Sequence, residues 1–308
     1  MLEIKQLSIA FERYGGWLAR TELNPIRCLD VEIEQGQVVS VVGESGAGKS
    51  LLAHAILGLL PGNATVSGRI QYAGNDLTPE RIRTLRGREI AFIPQSVGFL
   101  NPLWRVGGQV VRAARLSGKN PDQAVDARDR AFERYNLPDG AKVMFPYQIS
   151  GGMARRVLTA AATVGDARLI VADEPTSGMD AENSRNALAY LRNLADQGRS
   201  VLLITHDIQA AVEVGDKVAV FRDGVTVEVA AAGDFMEPDR LRHPYTRQLF
   251  SALPEKEFTG AVNGHQAGAQ GVHGCVHQNG CPIEADICRR SAPERRNMGN
   301  GWVRCHHA

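Results

Sequence analysis

The sequence is short of net charge, of long apolar runs and, over most of its length, of cysteine. Its 35 basic and 34 acidic side chains leave a net charge of +1 over 308 residues. A chain so balanced has no long-range pull on nucleic acid or acidic lipid, which argues against a polyanion-binding protein. No segment reaches the roughly 18 uninterrupted apolar residues needed to span a bilayer. The start, Met1-Leu2-Glu3-Ile4-Lys5, lacks the basic-then-apolar order of a secretion signal. The expectation is a cytosolic chain that works at a membrane only as a peripheral subunit. Only Cys28 stands before residue 275, and no internal repeat is visible.

Apolar residues make up 44% of the chain, enough for a sizeable core, and the length fits one large domain or a domain plus a small one. Residues 2–11 alternate apolar and polar positions, and 27–35 repeat the pattern, as half-buried strands do. Val38 to Val42 is a short β-branched run that leads straight into glycines. Ser50 to Leu60 follows with helical spacing until Pro61-Gly62 stops it. Residues 108–165 read as mostly helical. Leu169–Ala172 and Ser200–Ile204 read as buried strands, separated by an amphipathic helix from Ala181 to Gln197. Strands alternating with helices predict an α/β fold with a mainly parallel sheet. Thr259 to Gly274 loses periodicity and reads as a linker.

Four short segments carry chemistry. Gly43-Glu44-Ser45-Gly46-Ala47-Gly48-Lys49-Ser50 is a phosphate-cradling loop between a strand and a helix. Its glycines let backbone N–H groups approach phosphate, Lys49 reaches the β- and γ-phosphates, and Ser50 ligates Mg²⁺. This loop points to ATP binding and hydrolysis. Asp173-Glu174 ends a buried strand, which puts Asp173 in place to hold Mg²⁺ and Glu174 to polarise the attacking water. Against this stands an ordinary Asp-Glu-Pro turn. His206 ends the next strand, at the side of the sheet where ligands sit, although a lone His there is more often structural. Ser150-Gly151-Gly152 opens a helix and makes a second anion nest, or else a plain helix cap. Two phosphate-binding helix starts in one chain make sense when each nucleotide lies between two subunits.

In this order the motifs resemble the ATP-binding subunit of ABC transporters over residues 1–250. The correspondence takes in the Walker A loop (43–50), the Q-loop at Gln95, the signature (149–153), Walker B (169–174), the D-loop ending at Asp180 and the switch His206. The resemblance implies a P-loop NTPase fold, an ABC-type nucleotide-binding domain over 1–254 with a helical subdomain at about 96–165. It makes Glu174 the catalytic base and Gln95 a sensor and ligand of Mg²⁺ and the γ-phosphate. It makes Asp180, Ser150, Gly151 and Gly152 contacts to nucleotide, the last three to ATP on a partner's loop. Phe11 is the candidate for stacking on adenine, with Tyr14 second. The family usually has Gln where Arg155 stands, which puts the signature-side contact in doubt.

Asn101-Pro102 and His243-Pro244-Tyr245-Thr246-Arg247 look like the oligopeptide, dipeptide and nickel importer subfamily. That resemblance implies uptake of peptides or nickel and other metal-chelate cargo. The implied partners are a second, different ABC ATPase, two transmembrane permease subunits and an extracytoplasmic substrate-binding protein, with no nucleic acid. The implied place is the cytoplasmic face of the inner membrane. Cys275, Cys281, Cys288 and Cys305, beyond a linker at 255–274, resemble the tail that holds a [4Fe–4S] cluster in some of these ATPases. Four thiolates on their own suit iron–sulfur or, less well without any C-x2-C pair, zinc. His265, His273, His277, His306 and His307 default to a solvated tail. A soluble ABC ATPase of DNA repair or translation is the alternative, and a redox sensor in the tail is a third.

Overall fold

The structure is a computed structural model that describes residues 1–15, 19–44, 48–251 and 274–308, with backbone alone at 13–15, 19–21 and Pro238. The central loop positions Ser45, Gly46 and Ala47, the Tyr14 ring, and His265 and His273 with almost all of the expected linker lie outside that description.

The chain opens with β1 (Leu2–Gly15), β2 (Ala19–Ile33) and β3 (Val38–Gly43), then α1 (Lys49–Ile56), β4 (Ala64–Tyr72), β5 (Asn75–Asp76), α2 (Pro79–Leu85) and β6 (Ile90–Ile93). Three helices follow, α3 (Val106–Leu116), α4 (Pro121–Arg134) and α5 (Gly151–Thr163). The chain then alternates through β7 (Leu169–Asp173), α6 (Ala181–Asp196), β8 (Ser200–Thr205), α7 (Ile208–Val214), β9 (Lys217–Arg222) and β10 (Val225–Ala231). It closes with α8 (Pro244–Ser251), α9 (Asp286–Arg290), β11 (Arg296–Met298) and β12 (Gly301–Val303).

The sheet runs β5-β4-β1-β2-β10-β9-β3-β8-β7-β6, and its two halves differ. From β9 through β3, β8 and β7 to β6 every pairing is parallel. β5, β4, β1 and β2 pair antiparallel, so the sheet is mixed rather than mainly parallel. The parallel half is covered on both faces, which is why β3, β7 and β8 are buried along their whole length. Successive residues of β3 point opposite ways. Val39 and Val41 pack with Leu52 and Ile56 of α1, whereas Val38 packs with Leu191 and Leu194 of α6. Burial of each such side chain contributes about 1.5–3 kcal/mol.

The helices α3, α4 and α5 form a core of their own around Val106, Val110, Ala127, Phe132, Val157 and Leu158. α4 starts where Asn120 and Gln123 close a reciprocal capping box ahead of Pro121. α5 starts where the Ser150 hydroxyl accepts from the Met153 N–H at 3.2 Å. The C-terminal segment returns to the sheet: β12 pairs with β10 and buries Trp302 and Val303. Among the described residues no helix is long and apolar enough to cross a membrane.

Candidate active site

The phosphate loop leaves the carboxyl end of β3. At Gly43 a Cβ would drive into the Phe221 carbonyl, so only glycine lets β3 pass this close to β9. Gly48, with φ of +87°, caps α1 in the left-handed region that glycine tolerates. Just after Gly48, the Lys49 side chain turns back on its own loop. Its Nζ donates to the carbonyls of Gly43 and Glu44, both at 2.7 Å. Burial pulls its pKa down, and the carboxylates of Glu174, Asp173 and Glu44 push the other way.

β7 delivers the two acidic residues beside this loop. Asp173 is 2% exposed and its Oδ1 has no hydrogen-bond partner. Burial raises its carboxyl pKa, against a hydrogen bond from Ser50 that lowers it. A buried carboxylate with an orphaned oxygen, touched by the Ser50 hydroxyl, is a donor set that fits a divalent cation with oxygen ligands. Ser50 and Asp173 therefore sit together. Gln95 lies just past β6 and is exposed.

Glu174 is held on every side. Its φ is +48°, rare for a residue with a Cβ. Its N–H donates to the Ile204 carbonyl at 2.8 Å, which ties it to β8. Its Oε1 accepts from the His206 N–H at 3.0 Å and stands 2.8 Å from His206 Nδ1. Its Oε2 accepts from the Thr205 hydroxyl at 3.4 Å. The carboxylate is thus oriented by the end of β8, while the His206 side chain itself stays 60% exposed. A carboxylate fixed in this way, next to Asp173 and the loop, can take a proton from an attacking water.

The remaining expected residues are spread over other elements. Ser150 and Gly151 are exposed at the start of α5, on the helical cluster and not on the sheet that carries the loop. Asp180 caps α6 by accepting from the Asn183 N–H at 2.9 Å, and that hydrogen bond leads the causes that lower its pKa. Phe11 is half-buried against the central core. Arg155 turns inward. It is 8% exposed and donates to the carbonyls of Pro94 and Glu174.

Residues 26–177 match the family model described as ABC transporter. The dipeptide transport ATP-binding protein DppD of Haemophilus influenzae is 32% identical over 99% of this chain and 95% of its own length. This chain belongs to the ABC transporter family. The oligopeptide transport ATP-binding protein OppD of Bacillus subtilis is 34% identical, over 84% of this chain and 74% of its own. The fold is also that of the ATP-binding cassette MJ0796, solved as a dimer in a post-hydrolysis state with ADP and Pi. There the TM-score is 0.68 at 22% identity, covering 75% of this chain and 99% of that one. As a member of this family the chain is an ATP hydrolase with a P-loop NTPase fold.

Sequence reasoning missed one contact with this ABC ATPase site. The Tyr245 hydroxyl donates to Glu44 Oε1 of the phosphate loop at 3.4 Å, and Arg222 stacks on the Tyr245 ring at 4.2 Å. The only available signal was the His-Pro-Tyr-Thr-Arg motif, which does not say what the tyrosine touches. The other face of Tyr245 meets His277, in the C-terminal segment, at 5.6 Å between ring centroids.

The four cysteines expected to hold a metal lie close enough to influence one another, without an assembled donor set among the described residues. Cys275, Cys288 and Cys305 are buried and Cys281 is half-buried. Burial first, then the neighbouring thiols, raise the pKa of Cys275, Cys281 and Cys305. Yet among the described residues no three His, Cys, Asp or Glu side chains converge to hold a metal ion. Instead Cys288 Sγ faces His307 Nε2 at 3.6 Å, and Cys275 Sγ accepts from the His277 N–H at 3.4 Å. Thiols that satisfy one another's neighbours in this way are near each other without forming a site.

Proposed function

We propose that this chain is the ATP-hydrolysing subunit of a peptide importer. The observation that carries the chemistry is Glu174, fixed by Ile204, Thr205 and His206 beside Asp173 and the loop. In this reading Glu174 takes the proton of a water that attacks the γ-phosphorus, and the bond to the bridging oxygen breaks to release ADP. Lys49 leaves the loop carbonyls to meet the β- and γ-phosphates, and Gly43, Glu44 and Ser45 through Gly48 wrap them. Ser50, Asp173 and Gln95 are the proposed holders of Mg²⁺, which supplies charge neutralisation on the phosphates. Phe11 is the proposed neighbour of adenine. His206 keeps the base oriented.

Ser150, Gly151, Gly152 and Asp180 complete the site of a second ATPase chain. Ser150 and Gly151 are exposed on a helical cluster separate from the loop, and Asp180 is exposed at the start of α6. A groove of about 370 Å³ between sheet and helices is lined by Leu57, Leu59, Phe92, Pro94, Phe99 and Leu116. Trp104 and Leu103 stand exposed nearby in sequence. Such an apolar groove suits a segment of a membrane subunit. Two permease subunits and an extracytoplasmic binding protein follow, with the ATPase peripheral at the cytoplasmic face.

Peptide cargo rests on the dipeptide and oligopeptide transport functions of the relatives, which lend nothing to the nickel alternative. We divide the chain into an ATPase domain to residue 254, with its helical subdomain at about 96–165, a linker to 274, and a Cys-bearing extension. For the extension the four thiols are the candidate ligand set on proximity alone, and the ATPase chemistry does not run through them. Anaerobic purification decides: a broad visible band and four irons would establish a cluster that forms only by rearrangement of this segment. The import reading is tested by co-purification and by peptide-stimulated ATPase activity in proteoliposomes. Membrane subunits and stimulation support it. Ribosomes or DNA in their place would replace it with a soluble ABC ATPase.

A further inference from the structure

Arg155 lies one turn into α5, the helix that opens with the exposed Gly151 and the half-buried Gly152. A cation of this size is expected at a surface, yet Arg155 is buried, and its Nε finds no acceptor. Burial lowers its pKa, and the nearby carboxylates of Glu174 and Asp173 oppose that. Its Nη1 is shared between two backbone carbonyls, Pro94 and Glu174, each at 3.3 Å. The two acceptors belong to different parts of the site. Pro94 directly precedes Gln95, after β6, and Glu174 directly follows β7.

These contacts close a frame around Glu174. β8 holds its N–H, the end of β8 holds its carboxylate, and α5 holds its carbonyl through Arg155. The backbone there is left-handed and has few alternatives once all three are made. α5 is one continuous helix over Gly151–Thr163, so its first turn and Arg155 are hydrogen-bonded into the same element. When the first turn of α5 shifts against a partner, Arg155 must carry the Pro94 and Glu174 peptides with it or let them go.

We propose that Arg155 is a positioning residue that ties the signature helix of this chain to the base and Q-loop of its own ATP site. Through it, closure of Ser150-Gly151-Gly152 on the partner's nucleotide sets Glu174 for hydrolysis of the nucleotide on this chain. The inference rests on the reading of Glu174 as base and of the site as shared between two subunits. Arginine suits the task because one nitrogen reaches both carbonyls while its permanent charge faces the Asp173-Glu174 pair. A glutamine amide is shorter and uncharged.

The test uses the full transporter complex with Arg155→Ala and Arg155→Gln, and Glu174→Gln as control. Steady-state ATPase gives kcat and KM, and vanadate trapping of a photoreactive ATP shows which ATPase chain holds the trapped nucleotide. Arg155→Ala is expected to lower kcat about tenfold or more with KM within about twofold, since misplacing a catalytic group acts on the chemical step. Trapping is lost on this chain. Arg155→Gln, which keeps a donor and guards against a folding defect, is expected to fall between. An unchanged kcat in both variants overturns the proposal, and so does loss of trapping on the partner chain alone. If Glu174→Gln hydrolyses ATP normally, the reading of the base fails instead.

Discussion

Arg304 and Asp30 fasten the C-terminal segment to the sheet. Arg304 Nη2 lies 2.8 Å from Asp30 Oδ2 on β2, with side-chain exposures of 10% and 6%. Arg304 Nη1 also donates to the Thr226 carbonyl of β10 at 3.0 Å, and Asp30 Oδ1 accepts from the Gln6 N–H at 3.1 Å. Arg304→Met keeps the length of the stem and removes the cation. It leaves a buried carboxylate with one backbone donor, which costs about 3–5 kcal/mol. Asp30→Asn strands the guanidinium in the same way. The double variant is neutral on both sides and is expected to recover about 2–3 kcal/mol of the summed loss. For a domain of this size about 2–4 °C accompanies each kcal/mol, so Arg304→Met lowers Tm by about 6–20 °C. Differential scanning fluorimetry of the four proteins reads this directly, and 0.5 M salt changes it little because the pair is shielded from solvent. A shift below about 2 °C, or a double variant as damaged as the sum, would refute the docking of this segment on β2 and β10.

Other consequences are equally specific. Tyr245→Phe removes the donor to Glu44 and is expected to raise KM for ATP two- to threefold, about 0.5 kcal/mol, with kcat retained, as steady-state kinetics will show. His243 is fully buried and its Nδ1 accepts from the Tyr245 N–H at 3.1 Å. Burial, then His277 and Arg222, push its pKa down to about 3. The unfolded chain, with an ordinary His, binds protons that the folded chain refuses. Stability is therefore full above about pH 6.5 and falls by up to about 1.4 kcal/mol per pH unit below it. His243→Asn keeps an acceptor at that place and is expected to flatten the Tm profile between pH 6.5 and 5. An equal acid slope in both proteins contradicts this.

Much of the site was legible because its residues are neighbours in the chain. Gly43 to Ser50 and Asp173-Glu174 each combine a buried strand with its exit turn, and period and motif agree there. The unread parts depend on contacts between distant segments. β4 is mostly exposed and carries no sustained apolar alternation, so the outer antiparallel strand had no signature, although β1 and β2 did. Glu44 and Tyr245 meet only because α8 folds back on β9 and β10. The direction of Arg155 had a weak trace: Val157, Leu158 and Thr159 around it are buried, and Leu158 and Thr159 are its neighbours one turn on. The cysteines show the opposite limit. Their spacing marks them as a group, but whether four thiols close on one point depends on the fold of a segment with little core.

The most direct measurement is ATP hydrolysis by the complex carrying Glu174→Gln beside wild type, with nucleotide occupancy measured in both. The substitution keeps the size of the side chain and an acceptor toward His206 while removing the proton acceptor. Hydrolysis at this chain's site is predicted to fall by about 10²–10⁴, with ATP still bound. Undiminished turnover would contradict the assignment of Glu174 as the base of this ATPase.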